Sequence, residues 1–221
     1  MILRLAHRGD WRAAPENSLA ALVAGVRAPR SDGVEFDVRL AADGTPVLSH
    51  DRYLTRVQGR DRPVGEVGVE ELAMLGVPTL AEALQALGAQ PGEAFLDVEF
   101  KEVPTAAAAV VLAAARGSAP RRAVVSAFDP DALRAAASLL PRWPRWLNVH
   151  ELDAAAIALA RDLGCAAIAS EYHRITRTTL AAVHAAGLDL AAFTVRSRAP
   201  LERLERLGVI AACVEGAILD A

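Results

Sequence analysis

The sequence predicts a single (β/α)8 barrel. Three observations carry that expectation. Short apolar strands alternate with helical patterns along most of the chain, and strands joined in this way pair in parallel. Eight principal strands can be counted. The length of 221 residues falls toward the short end of the range of about 200 to over 400 that such barrels span. No linker interrupts the rhythm and no repeat exists beyond it, so residues 1–221 read as one domain.

Taken in order, residues 2–6 form a first short strand that runs into His7-Arg8-Gly9. A helical pattern follows from about Ser18 to Arg27, with Asn17 or Ser18 as its N-cap. Residues 34–40 are mostly apolar or β-branched and read as the second strand. There Glu35 and Asp37 stand two apart and so point the same way. Asp43-Gly44 signals a hairpin. A two-residue loop centred on that pair sets Asp37 opposite His50 on one face. A three-residue loop with a bulge would shift the pairing by one and separate them.

Residues 52–78 carry four glycines, two prolines and clustered charges, and read as an irregular insertion with a short helix near 69–75. Loops this long cover a site or are mobile. Thr79 caps a helix to about Leu87, and residues 95–100 form the third principal strand. Helices at 104–116, 130–140, 153–163, 176–186 and 199–207 then alternate with strands at 122–127, 145–149, 165–169, 189–195 and 209–214.

Composition narrows the function. A net charge of −3 argues against wholesale binding to nucleic acid or to a membrane surface. No apolar run approaches the roughly 20 residues of a membrane helix, and no secretory leader is evident, so the expected compartment is cytoplasmic. Cys165 and Cys213 are isolated in apolar stretches and read as buried small hydrophobes rather than a disulfide or a zinc site. The basic residues are almost all arginine. Lys101 is the only lysine, and Asn17 and Asn148 are the only asparagines. A lone lysine in such a chain marks a place where a compact ammonium is needed.

In a barrel of this type the active site lies at the C-terminal ends of the strands. Sorted by that rule, His7 and Arg8 end the first strand, and Glu35 and Asp37 lie on the second. Asp97, Glu99 and Lys101 share a face of the third, while Ser126, Glu171, Arg196 and Glu215 fall at later strand ends. Glu35, Asp37 and Glu99 on adjacent strands would repel if buried together. One divalent cation with oxygen ligands, Mg2+ or Ca2+, resolves that repulsion better than zinc, for which no HxH or CxxC pair is present. His7, His50, Arg8 and Lys101 are then left beside the cation, a set suited to cleaving a phosphate ester.

These residues also carry a family resemblance. His7-Arg8-Gly9, Pro15-Glu16-Asn17, Glu35-x-Asp37, His50-Asp51, Glu99-x-Lys101 and Ser126-x-Phe128 follow one another as in the glycerophosphodiester phosphodiesterases. Thr79-Leu80-x-Glu82 and Phe193-Thr194-Val195 resemble the family's later marks. The resemblance implies a metal-dependent barrel that hydrolyses glycerophosphodiesters to glycerol 3-phosphate and an alcohol. By the same token Glu35, Asp37 and Glu99 would hold the metal, His7 and His50 would act as acid and base, and Arg8 and Lys101 would contact phosphate. The insertion at 51–78 is shorter than is usual in the family and implies an open mouth. The sequence departs from the family at Ser18, at Arg196 in place of an asparagine, and in a last strand that ends Val214-Glu215-Gly216. These departures bear on substrate preference.

Plainer roles compete for the remaining residues. Asp97 reads as a buried structural carboxylate, Asn17 chiefly as a helix cap, and His150, His173 and His184 as surface or rim residues. Trp11 is a candidate for the mouth, whereas Trp143 and Trp146 fit ordinary packing. Other functions compatible with the same scaffold are a phosphodiesterase of lysophospholipids, a barrel that binds a phosphorylated ligand without cleaving it, and metal-assisted proton abstraction beside a carbonyl. The last of these lacks a base on a late strand.

Overall fold

The computed structural model describes residues 1–220 and shows a closed parallel barrel. Its strands are β1 (Leu3–His7), β2 (Gly33–Leu40), β4 (Phe95–Phe100), β5 (Ala123–Ala127), β6 (Arg145–Val149), β7 (Ala167–Glu171), β8 (Asp189–Val195) and β9 (Ala211–Val214). A short β3 (Pro46–Leu48) adds antiparallel to β2. Closure follows from β1 pairing with both β2 and β9. The outer layer comprises α1 (Leu19–Arg27), α4 (Leu80–Gly88), α5 (Ala106–Arg116), α6 (Pro130–Leu139), α7 (Ala154–Asp162), α8 (Arg177–Ala185) and α9 (Arg198–Leu207). The eight expected barrel strands are all present, with ends moved by two residues or fewer.

Short polar side chains start six of these helices, among them Ser18 and Thr79, which the sequence predicts as caps. Ser18, Thr79, Thr105, Asp129, Asp153 and Thr176 each accept a first-turn backbone N–H. Thr79 and Glu82 complete a reciprocal capping box. Ser18, not Asn17, is the cap of α1.

Two apolar layers result. One lies between strands and helices. The other fills the barrel interior with Leu5, Phe95, Val124, Trp146, Ala167, Ala191 and Ala211, where Phe95 stacks on Trp146 with ring centroids 5.9 Å apart. Trp143 and Trp146 are both buried, in keeping with packing roles, while Trp11 is exposed. Both cysteines are buried and unpaired.

The insertion is more ordered than its composition suggests. It contains α2 (Thr55–Gln58), a 3-10 turn (Val64–Glu66) and α3 (Val69–Met74). Leu54, Val64, Val67, Leu72 and Val77 pack with Ala41 and Val47 of the hairpin into a third, separate apolar cluster. No helix among the described residues is long and apolar enough to cross a membrane.

Gly33 pairs with Phe95 at the start of the β2–β4 ladder. A methyl group on Gly33 would stand 1.9 Å from the Phe95 carbonyl oxygen and 2.6 Å from its carbon. Backbone cannot swing aside as a side chain can. Gly33→Ala is therefore expected to lower unfolding free energy by about 3 kcal/mol or more, measured by urea titration; a loss below about 1 kcal/mol would contradict this packing.

Candidate active site

The interior changes character one layer above the apolar floor. At the C-terminal ends of the strands a cavity of about 450 Å³ opens, and His7, Arg8, Glu35, His50, Glu99 and Lys101 all line it. Asp37 is fully buried behind them. Parallel register explains the meeting, because Asp37 sits beside Glu99 and Glu35 beside His7. Alternation then turns all of these side chains inward.

Glu35, Asp37 and Glu99 each offer a carboxylate oxygen, and the three atoms lie within 4.8 Å of one another. Two cations answer this charge from within the chain. Lys101 contacts Glu99 and places its Nζ 2.9 Å from Asp37 Oδ1, while Arg8 Nε lies 3.2 Å from Asp37 Oδ2. Asn17 grips Asp37 from the side: its Nδ2 donates to Asp37 Oδ2 at 2.8 Å, and its Oδ1 accepts from the Asp37 backbone N–H. Burial opposes the charge on Asp37, yet Lys101 and Arg8 hold its pKa below the usual range. Glu35 has only Arg8 to support its charge. Burial first, then the charges of Asp37 and Glu99, push its pKa well above the carboxylate range. Burial and Asp37 raise Glu99 to about 7. Asp97, buried and accepting a 2.6 Å hydrogen bond from Ser126, is also raised to about 7, chiefly by burial.

The donor set fits a hard divalent cation. It consists of carboxylate oxygens alone, and Glu35 Oε1 is buried with no hydrogen-bond partner in the protein. Glu35 Oε2 is occupied, accepting the Arg8 backbone N–H at 3.0 Å.

The histidines stand on either side, and each is fixed in the same way. His7 Nδ1 donates to Glu215 Oε1 at 2.5 Å, and Glu215 Oε2 accepts from Arg196 Nε at 2.6 Å. His50 Nδ1 donates to Asp51 Oδ1 at 2.6 Å, and Asp51 Oδ2 accepts from Arg56 Nε at 2.6 Å. A carboxylate can only accept, so both imidazoles carry their proton on Nδ1 and leave Nε2 free to take or give one. Burial lowers the pKa of His50, outweighing Asp37. Arg56 also binds Glu16 at 2.6 and 2.8 Å, and Glu16 accepts from Arg8 at 2.9 Å. The insertion is thereby wired to Arg8.

Three expectations need correction. The hairpin does not set Asp37 opposite His50. Val38 pairs with Leu48 and Arg39 with Val47, because residues 42–44 form a three-residue loop closed by Ala41 and Thr45, with Gly44 at φ +81°. Asp37 therefore meets Ser49, and β3 stops at Leu48. His50 reaches the cavity from the turn beyond the strand. Asn17 is not chiefly a cap; at φ +58° it leaves the helix and clamps Asp37. Glu215 and Arg196, expected only at strand ends or on the rim, form the support of His7. Glu215 is buried and Arg196 exposed, and nothing in their positions along the sequence pairs them with each other or with His7.

The exposed rim holds His150 and His173, both bonded to Glu171, and His150 stacks on Phe128 at 4.7 Å. Phe128 also meets Phe193 edge to face.

Residues 7–216 match the sequence model of the glycerophosphoryl diester phosphodiesterase family. A glycerophosphodiester phosphodiesterase of Caldanaerobacter subterraneus is 27% identical over 63% of the chain. A lysophospholipase D of Mus musculus is 41% identical over 31% of the chain. The matched regions span 63% and 21% of those two proteins. Among solved structures, an Oleispira antarctica phosphodiesterase in complex with the product sn-glycerol-3-phosphate superposes with a TM-score of 0.81 at 26% identity. That superposition covers 96% of this chain and 92% of the other.

The raised carboxyl groups have a consequence for stability. A carboxyl whose pKa is higher folded than unfolded keeps a proton that the unfolded chain has released, so the folded state binds more protons between about pH 4 and pH 7. In EDTA, raising the pH from 5 to 8 is expected to lower the melting temperature, by about 2–4 °C for each kcal/mol lost. Glu99→Gln should flatten that slope. A melting temperature that rises over this window would contradict the assignment.

Proposed function

The chain belongs to the glycerophosphoryl diester phosphodiesterase family, and from that premise we propose that it hydrolyses glycerophosphodiesters to glycerol 3-phosphate and an alcohol. The observation that carries the proposal is the juxtaposition, in one cavity, of a three-carboxylate cluster with two imidazoles that each present a free Nε2. A barrel that merely held a phosphorylated ligand would need the cations but not two acid/base groups.

Glu35, Asp37 and Glu99 would hold one divalent cation, Mg2+ or Ca2+. When bound, that cation supplies charge neutralisation and Lewis-acid polarisation for the phosphate oxygens. Arg8 and Lys101 bind the remaining phosphate oxygens and stabilise the charge that builds on them in the transition state. One imidazole removes a proton from the nucleophile, which is water or the 2-hydroxyl of the glycerol. The other delivers a proton to the departing alkoxide. Glu215 and Asp51 keep both rings in the required tautomer and orientation.

The alcohol leaves through the open mouth, so the site accepts varied head groups. The short match to a lysophospholipase D makes an acylated glycerol the second reading. Comparing turnover of glycerophosphocholine with that of lysophosphatidylcholine separates the two. No helix among the described residues is long and apolar enough to cross a membrane, and the cytoplasm is the compartment proposed for the activity.

The test is a coupled assay for glycerol 3-phosphate release. Turnover should disappear in EDTA and return with Mg2+ or Ca2+. His7→Ala and His50→Ala should each lower kcat by about 10²- to 10⁴-fold while melting stays cooperative. A fully active single variant would remove that histidine from the mechanism.

A further inference from the structure

The site holds a polar side chain that the proposed chemistry does not use. Asn148 lies on β6, two strands around the barrel from β4, and lines the same cavity as Glu35 and Glu99. It is 5% exposed, lines the cavity, and its Oδ1 accepts a hydrogen bond from no group of the protein. An acceptor buried without a partner is costly, and close-packed interiors seldom keep one without a use. The chain is also sparing with this residue type. Its only other asparagine is Asn17, whose amide is fully engaged on Asp37.

Depth indicates what the amide faces. Two residues earlier on the same strand, Trp146 belongs to the apolar floor; two residues later, His150 stands on the exposed rim. Asn148 therefore sits just above the floor, in register with the small Ala169, and the small side chains of Ala169 and Cys213 also line the cavity. The departing alcohol must reach solvent and so occupies the mouth. The part of the substrate that stays behind, the glycerol moiety, occupies the deep end. An amide carries both a donor and an acceptor, and a hydroxyl is the group that satisfies both.

We infer that Asn148 is the specificity residue for the glycerol end of the substrate, pairing through its amide with a free glycerol hydroxyl. The inference rests on the glycerophosphodiester reading of this site. A pocket that presents an unpaired buried amide discriminates by leaving that amide unsatisfied when the hydroxyl is missing. It also makes Asn148 a residue kept for binding at the expense of stability.

The experiment is calorimetric, using the Ca2+-loaded protein with two ligands, glycerol 3-phosphate and inorganic phosphate. Asn148→Ala is expected to weaken glycerol 3-phosphate binding about tenfold or more and to leave inorganic phosphate within about twofold. The kcat/KM for glycerophosphocholine should fall in proportion, mainly through KM. The melting temperature should hold or rise, because no bond within the protein is lost. Asn148→Ser, which keeps a hydroxyl, should recover part of the loss and serves if the alanine variant folds poorly. Equal losses for the two ligands, or none for glycerol 3-phosphate, overturn the inference. A wild-type protein that binds glycerol 3-phosphate but cleaves no glycerophosphodiester overturns the functional reading instead.

Discussion

The structure depends on an electrostatic conflict held inside the barrel. Three carboxylates meet within 4.8 Å in the interior of the fold. At an effective dielectric of about 20, two unit charges about 4 Å apart interact by on the order of 4 kcal/mol. Such a cluster survives only with compensation, and the surrounding residues supply part of it. Lys101 and Arg8 flank Asp37, Asn17 fixes its orientation, and the Arg8 backbone N–H holds one oxygen of Glu35. The other Glu35 oxygen remains unanswered. The chain's own cations keep Asp37 ionised and leave Glu35 and Glu99 with raised pKa values. That shortfall of positive charge is what a divalent cation would make good.

Around this centre the two histidines are built to one plan from unrelated parts of the chain. Each donates a hydrogen bond from its Nδ1–H to a carboxylate, and the second oxygen of each carboxylate accepts from an arginine Nε. The arginine keeps the carboxylate ionised and stationary, and the carboxylate keeps the ring in one tautomer. On one side the parts come from β1, β9 and the turn after β8. On the other they come from the hairpin and the first turn of the insertion. The insertion is thus more than a cover. Through Arg56 it fixes Asp51 and reaches Glu16 and Arg8. Its separate apolar cluster gives that arginine a firm base.

What could be read from the sequence was whatever depends on short-range periodicity. Alternation placed Glu35 and Asp37 on one face, and the strand-helix rhythm implied a barrel that brings β1, β2 and β4 together at one end. Lys101 stood out because the chain otherwise uses arginine. Less legible was anything set by a single residue of register or by contacts between distant ends. The hairpin slipped by one residue because Gly44 takes a left-handed conformation that lengthens the loop. Asn17 resembled a cap because caps and left-handed turns favour the same residue types. Glu215 and Arg196 were visible as polar residues after apolar strands, but the closing of β9 onto β1 is what brings Glu215 to His7, and local pattern says nothing of that closure. In the insertion, glycine and proline content hid an apolar set that packs only once the hairpin is in place.

The central claim is that the buried carboxylates form a site for one divalent cation. Calorimetric titration of Ca2+ and Mg2+ into EDTA-treated and dialysed protein tests it most directly. The account predicts uptake of one ion per chain, binding that tightens from pH 5 to pH 8 as the raised carboxyl groups release protons, and loss of uptake in Glu35→Gln and Glu99→Gln. Absence of uptake by the folded wild-type protein, or unchanged uptake by both variants, would contradict it.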